Sequence, residues 1–250
     1  MKFFIASYLL IGAVIFPHTV QARATDAPKL YVPILTYHHI APHTPHNPYF
    51  VSPKIFEEQM RWLKKNNYHV ISYADFYHAM TTDEQLPRKS VVLTFDDGHR
   101  DQFINAFPIL NALGFHAMFY VVGGYIERET SMTWDMLKKM RDAQMEIGAH
   151  SMTHPNLTRL TNAQRIAEIS ESKLILEKNL GIPINFFAYP GGAYNDAVIR
   201  DVIDAHFLSA VSVRHSVYHK KNENLFAVAR MHIDDDMESF TGFVTGARLR

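Results

Sequence analysis

The sequence contains no cysteine. That absence removes disulfides, thiolate zinc centres and cysteine nucleophiles together, and leaves histidine and carboxylate as the strong metal ligands. Net charge is missing too. The 25 Lys and Arg are matched by 25 Asp and Glu, so no basic excess favours nucleic acid or a membrane surface. There is no low-complexity block and no internal repeat, and 47% of residues are hydrophobic against 20% charged. Disorder is excluded over most of the length. Histidine, by contrast, is abundant, at 15 of 250 residues.

No apolar run reaches the roughly 20 residues that a helix needs to cross a bilayer. The nearest, Phe3–Phe16, follows Lys2 and precedes Pro17 and the small-x-small triplet Ala22-Arg23-Ala24. Residues 1–24 therefore read as a secretory signal peptide, with a retained membrane anchor as the alternative. Cleavage near Ala24 removes one Lys and one Arg and leaves residues 25–250 with a net charge of −2. The expectation is a secreted or periplasmic monomer without a transmembrane helix, whose stability comes from packing.

Apolar β-branched runs alternate with amphipathic stretches from Thr25 onward. Strands are expected at Leu30–Thr36, His69–Ser72, Ser90–Phe95, Ala117–Val122, Met145–Ala149, Ile184–Tyr189, Leu208–Val213 and Phe226–Met231. Continuous apolar runs suit strands covered on both faces by helices. A helix starts at Ser52-Pro53, with Phe56, Met60 and Leu63 on one face. Others are expected at Gln102–Leu113 (interrupted by Pro108 and stopped by Gly114), Thr133–Asp142, Asn195–Ala205 and Asp236–Gly246. Thr161 to Gln164 forms a capping box for a helix with Ile166, Ile169 and Leu176 on one face, ended by Gly181. Seven or eight β and α alternations fit a distorted (β/α) barrel of class α/β, as one domain, better than an open doubly wound sheet.

In such a barrel, reacting groups sit at the C-terminal ends of strands. The run Ser90–Phe95 leads straight into Asp96-Asp97-Gly98. At the strand end two adjacent acids can splay, one toward a metal and one toward a water; capping of the next helix is the alternative. Three HxxxH pairs occur: His39/His43, His150/His154 and His215/His219. Such pairs arise by chance in a histidine-rich chain, so position decides. Only His150/His154 emerges from an apolar strand, with Gly148 before it and Pro155 after it; the other two read as surface histidines. At a third strand end, Tyr189-Pro190-Gly191-Gly192 can turn main-chain N–H groups toward a pocket, or can be an ordinary turn before a helix capped by Asn195.

Thr94-Phe95-Asp96-Asp97-Gly98, His150-Ser151-Met152-Thr153-His154 and Tyr189-Pro190-Gly191-Gly192, in this order, resemble the polysaccharide deacetylases with a NodB-homology domain, carbohydrate esterase family 4. The resemblance runs from about Val32 to Met231. It implies a distorted (β/α) barrel and hydrolysis of N-acetyl groups on N-acetylglucosamine-containing polysaccharide by metal-activated water. By this resemblance Asp97, His150 and His154 hold a divalent metal, Zn²⁺ with Co²⁺ or Ni²⁺ as alternatives. Asp96 is the general base, and the backbone N–H of Gly191 faces the oxyanion.

Two departures stand out. The family's third motif begins with Arg and ends with an aromatic, where this chain has Ala188 and Gly191. Arg230, at the end of the last strand, is the candidate to orient the base instead. The C-terminal Leu-x-His motif that supplies the general acid is absent; His232 follows the last strand without that frame. The segment Pro33–His39 resembles the branch in which this motif is permuted to the front, as in deacetylases of poly-β-1,6-N-acetylglucosamine. First and last strands of a closed barrel are neighbours, so His38 is the expected acid, with His39 as fallback. Tyr189, Tyr194 and Tyr125 are candidates to line a sugar groove, and Trp134 and Met136 are read as barrel packing. His99 is left between pocket wall and helix start, and Asp234–Asp236 is read as a solvated turn. The competing functions are an O-acetyl esterase acting on acetylated glycans and a non-catalytic glycan-binding protein.

Overall fold

The computed structural model describes residues 29–42, 47–213, 216, 218–220 and 223–247. The signal-peptide reading of residues 1–24, His43 and His215 fall outside the described residues.

Each expected strand has a counterpart in one parallel sheet: β1 (Ile34–Tyr37), β2 (His69–Ile71), β3 (Ser90–Phe95), β4 (Met118–Val121), β5 (Glu146–Ala149), β6 (Phe186–Ala188), β7 (Ser209–Val213) and β8 (Val228–His232). Seven of them close a ring in the order β1-β8-β7-β6-β5-β4-β3 and back to β1. The eighth, β2, lies outside the ring. It occupies the first half of one edge of β3, with His69 opposite Ser90 and Ile71 opposite Val92. The second half of that edge belongs to β1, with Ile34 opposite Val92 and Tyr37 opposite Phe95. The expected single strand Leu30–Thr36 is broken at Val32-Pro33. Pro33 lacks the N–H that a continuous ladder needs, and Lys29–Tyr31 turns away to pair antiparallel with Tyr218–Lys220.

Helices fill the crossovers. They are α1 (Pro53–Lys65), α2 (Tyr73–Thr81), α3 (Phe107–Leu113), α4 (Trp134–Asp142), α5 (Asn162–Leu180), α6 (Asp196–Asp204) and α7 (Met237–Thr245). The capping signals hold locally. Ser52 accepts from Ile55 N at the start of α1, Thr161 and Gln164 make both bonds of the capping box, and Gly114, Gly181 and Gly246 take left-handed conformations at helix ends. Ile166 departs from expectation. It is 44% exposed, and the buried face of α5 runs instead through Ile169, Ser172, Leu176 and Leu180.

Side-chain parity sorts the strands into two cores. Val92, Met118, Tyr120, Phe186, Ala188, Val211 and Val228 fill the barrel interior, and the alternate residues Val91, Leu93, Phe119, Ile147, Phe187 and Tyr189 pack against the helices. Helix α2, which the sequence pattern did not announce, sends Tyr73, Phe76 and Met80 into the interior cluster. Its first turn is tied to the sheet by Glu146, which accepts from Tyr73 N at 2.6 Å and Ala74 N at 2.9 Å. Toward the other end of the barrel the interior turns polar. Thr36 and Thr94 hydroxyls meet at 3.1 Å, and Arg230, fully buried, reaches Thr94 Oγ1 at 3.1 Å. On that polar layer the site is built.

Candidate active site

The interior parity of β3 runs through Val92 and Thr94, and Asp96, one residue beyond the strand, continues it. It is 2% exposed. Arg230, on the inward parity of β8, meets it with a fork of two bonds, Nη1 to Oδ1 and Nη2 to Oδ2, both 2.7 Å. Burial alone would raise the Asp96 carboxyl, but the charge and hydrogen bonds of Arg230 outweigh it and hold the group ionised below its usual range. Arg230 itself lies over the ring of Tyr120 at 5.3 Å. The guanidinium that grips Asp96 thus comes from the last strand.

After Asp96 the chain curls sharply. Asp97 and Gly98 both have positive φ, 71° and 74°. A Cβ at Gly98 would stand 2.8 Å from Val121 Cγ1, so the turn accepts no side chain there. The curl leaves Oδ1 of Asp97 3.5 Å from His150 Nε2 and 3.4 Å from His154 Nε2. His150 stands at the end of β5, and Ser151 and His154 add two more positive-φ residues, 61° and 59°. Such conformations each cost of order 1–3 kcal/mol and persist where surrounding structure imposes them. Here Glu168 imposes them, taking the N–H groups of Met152 and Thr153 at 2.9 and 2.8 Å, while Ser151 Oγ accepts from His154 N at 3.0 Å.

These three residues suit a divalent cation. One ligand atom from each lies within 4.8 Å of the others, and the set is two imidazole nitrogens and a carboxylate oxygen. His150 Nδ1 lies 2.8 Å from Ala188 O. A carbonyl only accepts, so Nδ1 carries a hydrogen, and Nε2, which here faces Asp97, is the nitrogen that would bind a metal once it gives up its proton. Burial opposes charge on Asp97, but hydrogen bonds from His150 and His99 outweigh it and hold that carboxyl far below the usual range. His154 is shifted down, by burial first and by the neighbouring His150 second.

A cavity of about 550 Å³ opens over these groups. His38, His39, Asp96, Asp97, His150, His154 and Gly191 all line it. Gly191 has φ +60°, and in its turn Gly192 and Ala193 give their N–H groups to Tyr189 O and Pro190 O. His38 follows β1 and continues its inward parity. Its Nδ1 is buried and makes no hydrogen bond among the described residues, and burial pushes its pKa down to about 4. His39 is differently held. Its Nδ1 lies 2.7 Å from Asp101 Oδ2, and Phe50 stacks on its ring at 4.2 Å. Gln102 ties the two strand ends together, giving its amide hydrogens to His38 O at 2.7 Å and Asp96 O at 2.6 Å. It begins a π-helical turn (Gln102–Ala106), a local distortion that recurs at functional sites.

Several expectations are corrected. Tyr189 is fully buried, with its hydroxyl on Phe226 O at 2.9 Å, and offers no face to the cavity. It shares the outward parity of Phe187. Tyr194 stacks on Tyr189 at 5.1 Å and is not in the cavity wall, and the ring of Tyr125 is covered by Arg128 at 3.8 Å. His39 and His219 are not surface groups: His39 lines the cavity and His219 is 1% exposed, bound to Glu223. Within the acidic turn Asp235 receives Ser52 N–H and Asp236 caps α7. The sequence reading missed Tyr49, Phe50 and Val213 in the wall and gave His232 no task. Tyr49 meets His38 and His232 edge-on at 4.8 and 5.0 Å. Only the aromatic pair after Pro48 signalled this wall, through a two-residue strand (Phe50–Val51) that pairs with His39–Ile40.

Comparison with known proteins agrees with this geometry. The family model described as "Polysaccharide deacetylase" matches residues 83–209. YxkH of Bacillus subtilis (strain 168) is 27% identical over 206 residues, 82% of this chain and 72% of its own. A poly-β-1,6-N-acetyl-D-glucosamine N-deacetylase of Staphylococcus aureus (strain MRSA252) is 26% identical over 202 residues, 75% of this chain and 69% of that protein. Among solved structures, the Streptococcus pyogenes deacetylase PplD in complex with acetate superposes with a TM-score of 0.81 at 27% identity, covering 87% of this chain and 99% of that one.

Proposed function

The chain belongs to the polysaccharide deacetylase family, and from that premise we propose that it is a metal-dependent hydrolase removing N-acetyl groups from N-acetylglucosamine-containing polysaccharide. The observation that carries this reading is the pairing of two carboxylates with opposite surroundings at one strand end. Asp96 is gripped by Arg230, and Asp97 shares one oxygen with two imidazoles.

Asp97, His150 and His154 would hold the ion. A divalent cation in such a site lowers the pKa of water toward neutrality and polarises a carbonyl oxygen. Asp96 takes the proton of the attacking water. Arg230 occupies two of the roughly four lone-pair sites of that carboxylate, keeping it ionised and oriented while the others stay available. The Gly191 N–H is the donor for the oxyanion that forms on the acetyl oxygen as water adds to the carbonyl carbon. His38 hands a proton to the departing amine. With its pKa near 4 it is neutral at rest, so the proton it delivers is the one Asp96 took from the attacking water, passed on within the cavity that both groups line; the amine receives it as the C–N bond breaks.

The N-terminal run Phe3–Phe16 and the Ala22-Arg23-Ala24 triplet support export of the mature protein. Among the described residues no helix is long and apolar enough to cross a membrane. The same machinery would cleave O-acetyl esters, so substrates of both kinds belong in one experiment. Acetate release is measured from N-acetylglucosamine oligomers and from O-acetylated glycans, with chelator and after Zn²⁺ or Co²⁺ is restored. Metal-dependent release from the amide substrate is expected. Release from esters alone identifies an O-acetyl esterase, and release from neither, with metal bound, identifies a binding protein. Asp97→Ala is expected to lose metal; Asp96→Asn is expected to retain it and lose about 10²–10⁴-fold in kcat.

A further inference from the structure

His99 takes no part in the chemistry above, yet it touches Asp97. Its Nε2 stands 3.2 Å from Oδ2 of that carboxylate. A carboxylate oxygen only accepts, so Nε2 carries the hydrogen. The other oxygen, Oδ1, is the one shared between His150 and His154. The two oxygens of a single carboxylate are thereby divided between two tasks.

The His99 ring is clamped. It lies face to face on His39, with centroids 3.7 Å apart and planes 18° apart. Phe50 stacks on His39 too, at 4.2 Å and 12°. Two rings at such distances cannot share one face, so His39 is sandwiched between Phe50 and His99. Asp101 locks His39 within its plane, with Oδ2 2.7 Å from Nδ1 and Oδ1 taking Ile40 N–H at 3.0 Å. The backbone around His99 is fixed from the far side. Met132 N donates to Gly98 O and Arg100 N to Thr130 O, both at 2.9 Å.

We propose that His99, held by its stack on His39, is a positioning residue that makes Asp97 a one-oxygen ligand. The proposal rests on the reading that Asp97, His150 and His154 hold a divalent ion. An Asp97 free to close on the ion through both oxygens would fill a position that a hydrolytic site keeps open. Pinning Oδ2 to an imidazole outside the site prevents this and fixes the direction of Oδ1.

The test is Co²⁺ titration of chelator-treated protein, followed by visible absorption. Asp97→Ala is expected to abolish binding; if it binds like wild type, the metal reading itself fails. His99→Phe keeps a ring for the stack and loses the donor. It is expected to weaken Co²⁺ affinity by about 10–100-fold and to shift the spectrum toward the weaker bands of a higher coordination number. His99→Gln, which keeps an N–H donor, is expected to recover part of the affinity. Unchanged affinity and spectrum in His99→Phe, with Asp97→Ala unable to bind, overturns the proposal. Should His99→Phe fail to fold, His39→Leu removes the supporting ring and leaves His99 in place. A several-fold loss of affinity with a shifted spectrum supports the proposal, and wild-type behaviour overturns it.

Discussion

Arg230 and Asp96 illustrate how little freedom a buried ion pair leaves to either partner. Removing one partner of such a pair strands the other charge and costs roughly 3–5 kcal/mol. Arg230→Met is therefore expected to lower unfolding free energy by that amount in urea, while Arg230→Met combined with Asp96→Asn costs much less than the two changes summed. In the sequence, Arg230 was a candidate to orient Asp96 on the strength of a family resemblance and its place at the end of the last strand. The two-bond fork between them became visible when the ring closed, because 134 positions separate the two residues. His38 carries a pH signature of its own. Burial lowers its pKa from 6.5 to about 4, so the folded state binds its proton less readily than the unfolded chain. Its contribution is present above pH 6.5 and is lost as pH falls through about 4, on the order of 3 kcal/mol in all. Urea unfolding of the chelator-treated protein between pH 4 and 7.5 checks this: His38→Gln should flatten that part of the profile relative to wild type.

Among the elements, β5 is the one whose backbone leads straight into the two histidine ligands. A Cβ at Gly148 would stand 2.5 Å from Tyr120 Cδ1 and 2.9 Å from Phe186 O. Gly148→Ala is expected to cost about 1–3 kcal/mol by overpacking and, two residues from His150, to weaken Co²⁺ binding as well. Thr161→Ala removes the cap of α5 and is expected to cost about 1 kcal/mol, with Co²⁺ binding unchanged; thermal melts and metal titration of both variants separate the effects. Element legibility followed the same physics. β-branched apolar runs and cap residues announced most strands and helices, because both signals are local. Helix α2 gave only Ser72 and Asp75 as a cap, and its apolar residues answer to the barrel interior rather than to a neighbouring helix. The His39–Phe50 wall was illegible for a related reason: two-residue strands have no periodicity to read.

For the whole molecule, the cation site joins segments that follow β3 and β5, so an ion bound there acts on the folded state alone. At 100 times its dissociation constant it is expected to add about 2.7 kcal/mol, seen as a higher Tm with Zn²⁺ than with chelator and absent in Asp97→Ala. The barrel itself was legible from strand count and order. The division of one edge of β3 between β2 and β1 was not, since the runs Leu30–Thr36 and His69–Ser72 looked alike in the sequence. That division has a mechanical consequence. A slip of β1 by two residues would preserve parity and every inward contact type, yet carry His38 about 6.6 Å along the strand, away from Asp96. Toward the barrel floor, β2 already fills the edge that β1 would slide into. β2 thus serves as a doorstop, setting the depth at which the first strand delivers its histidine.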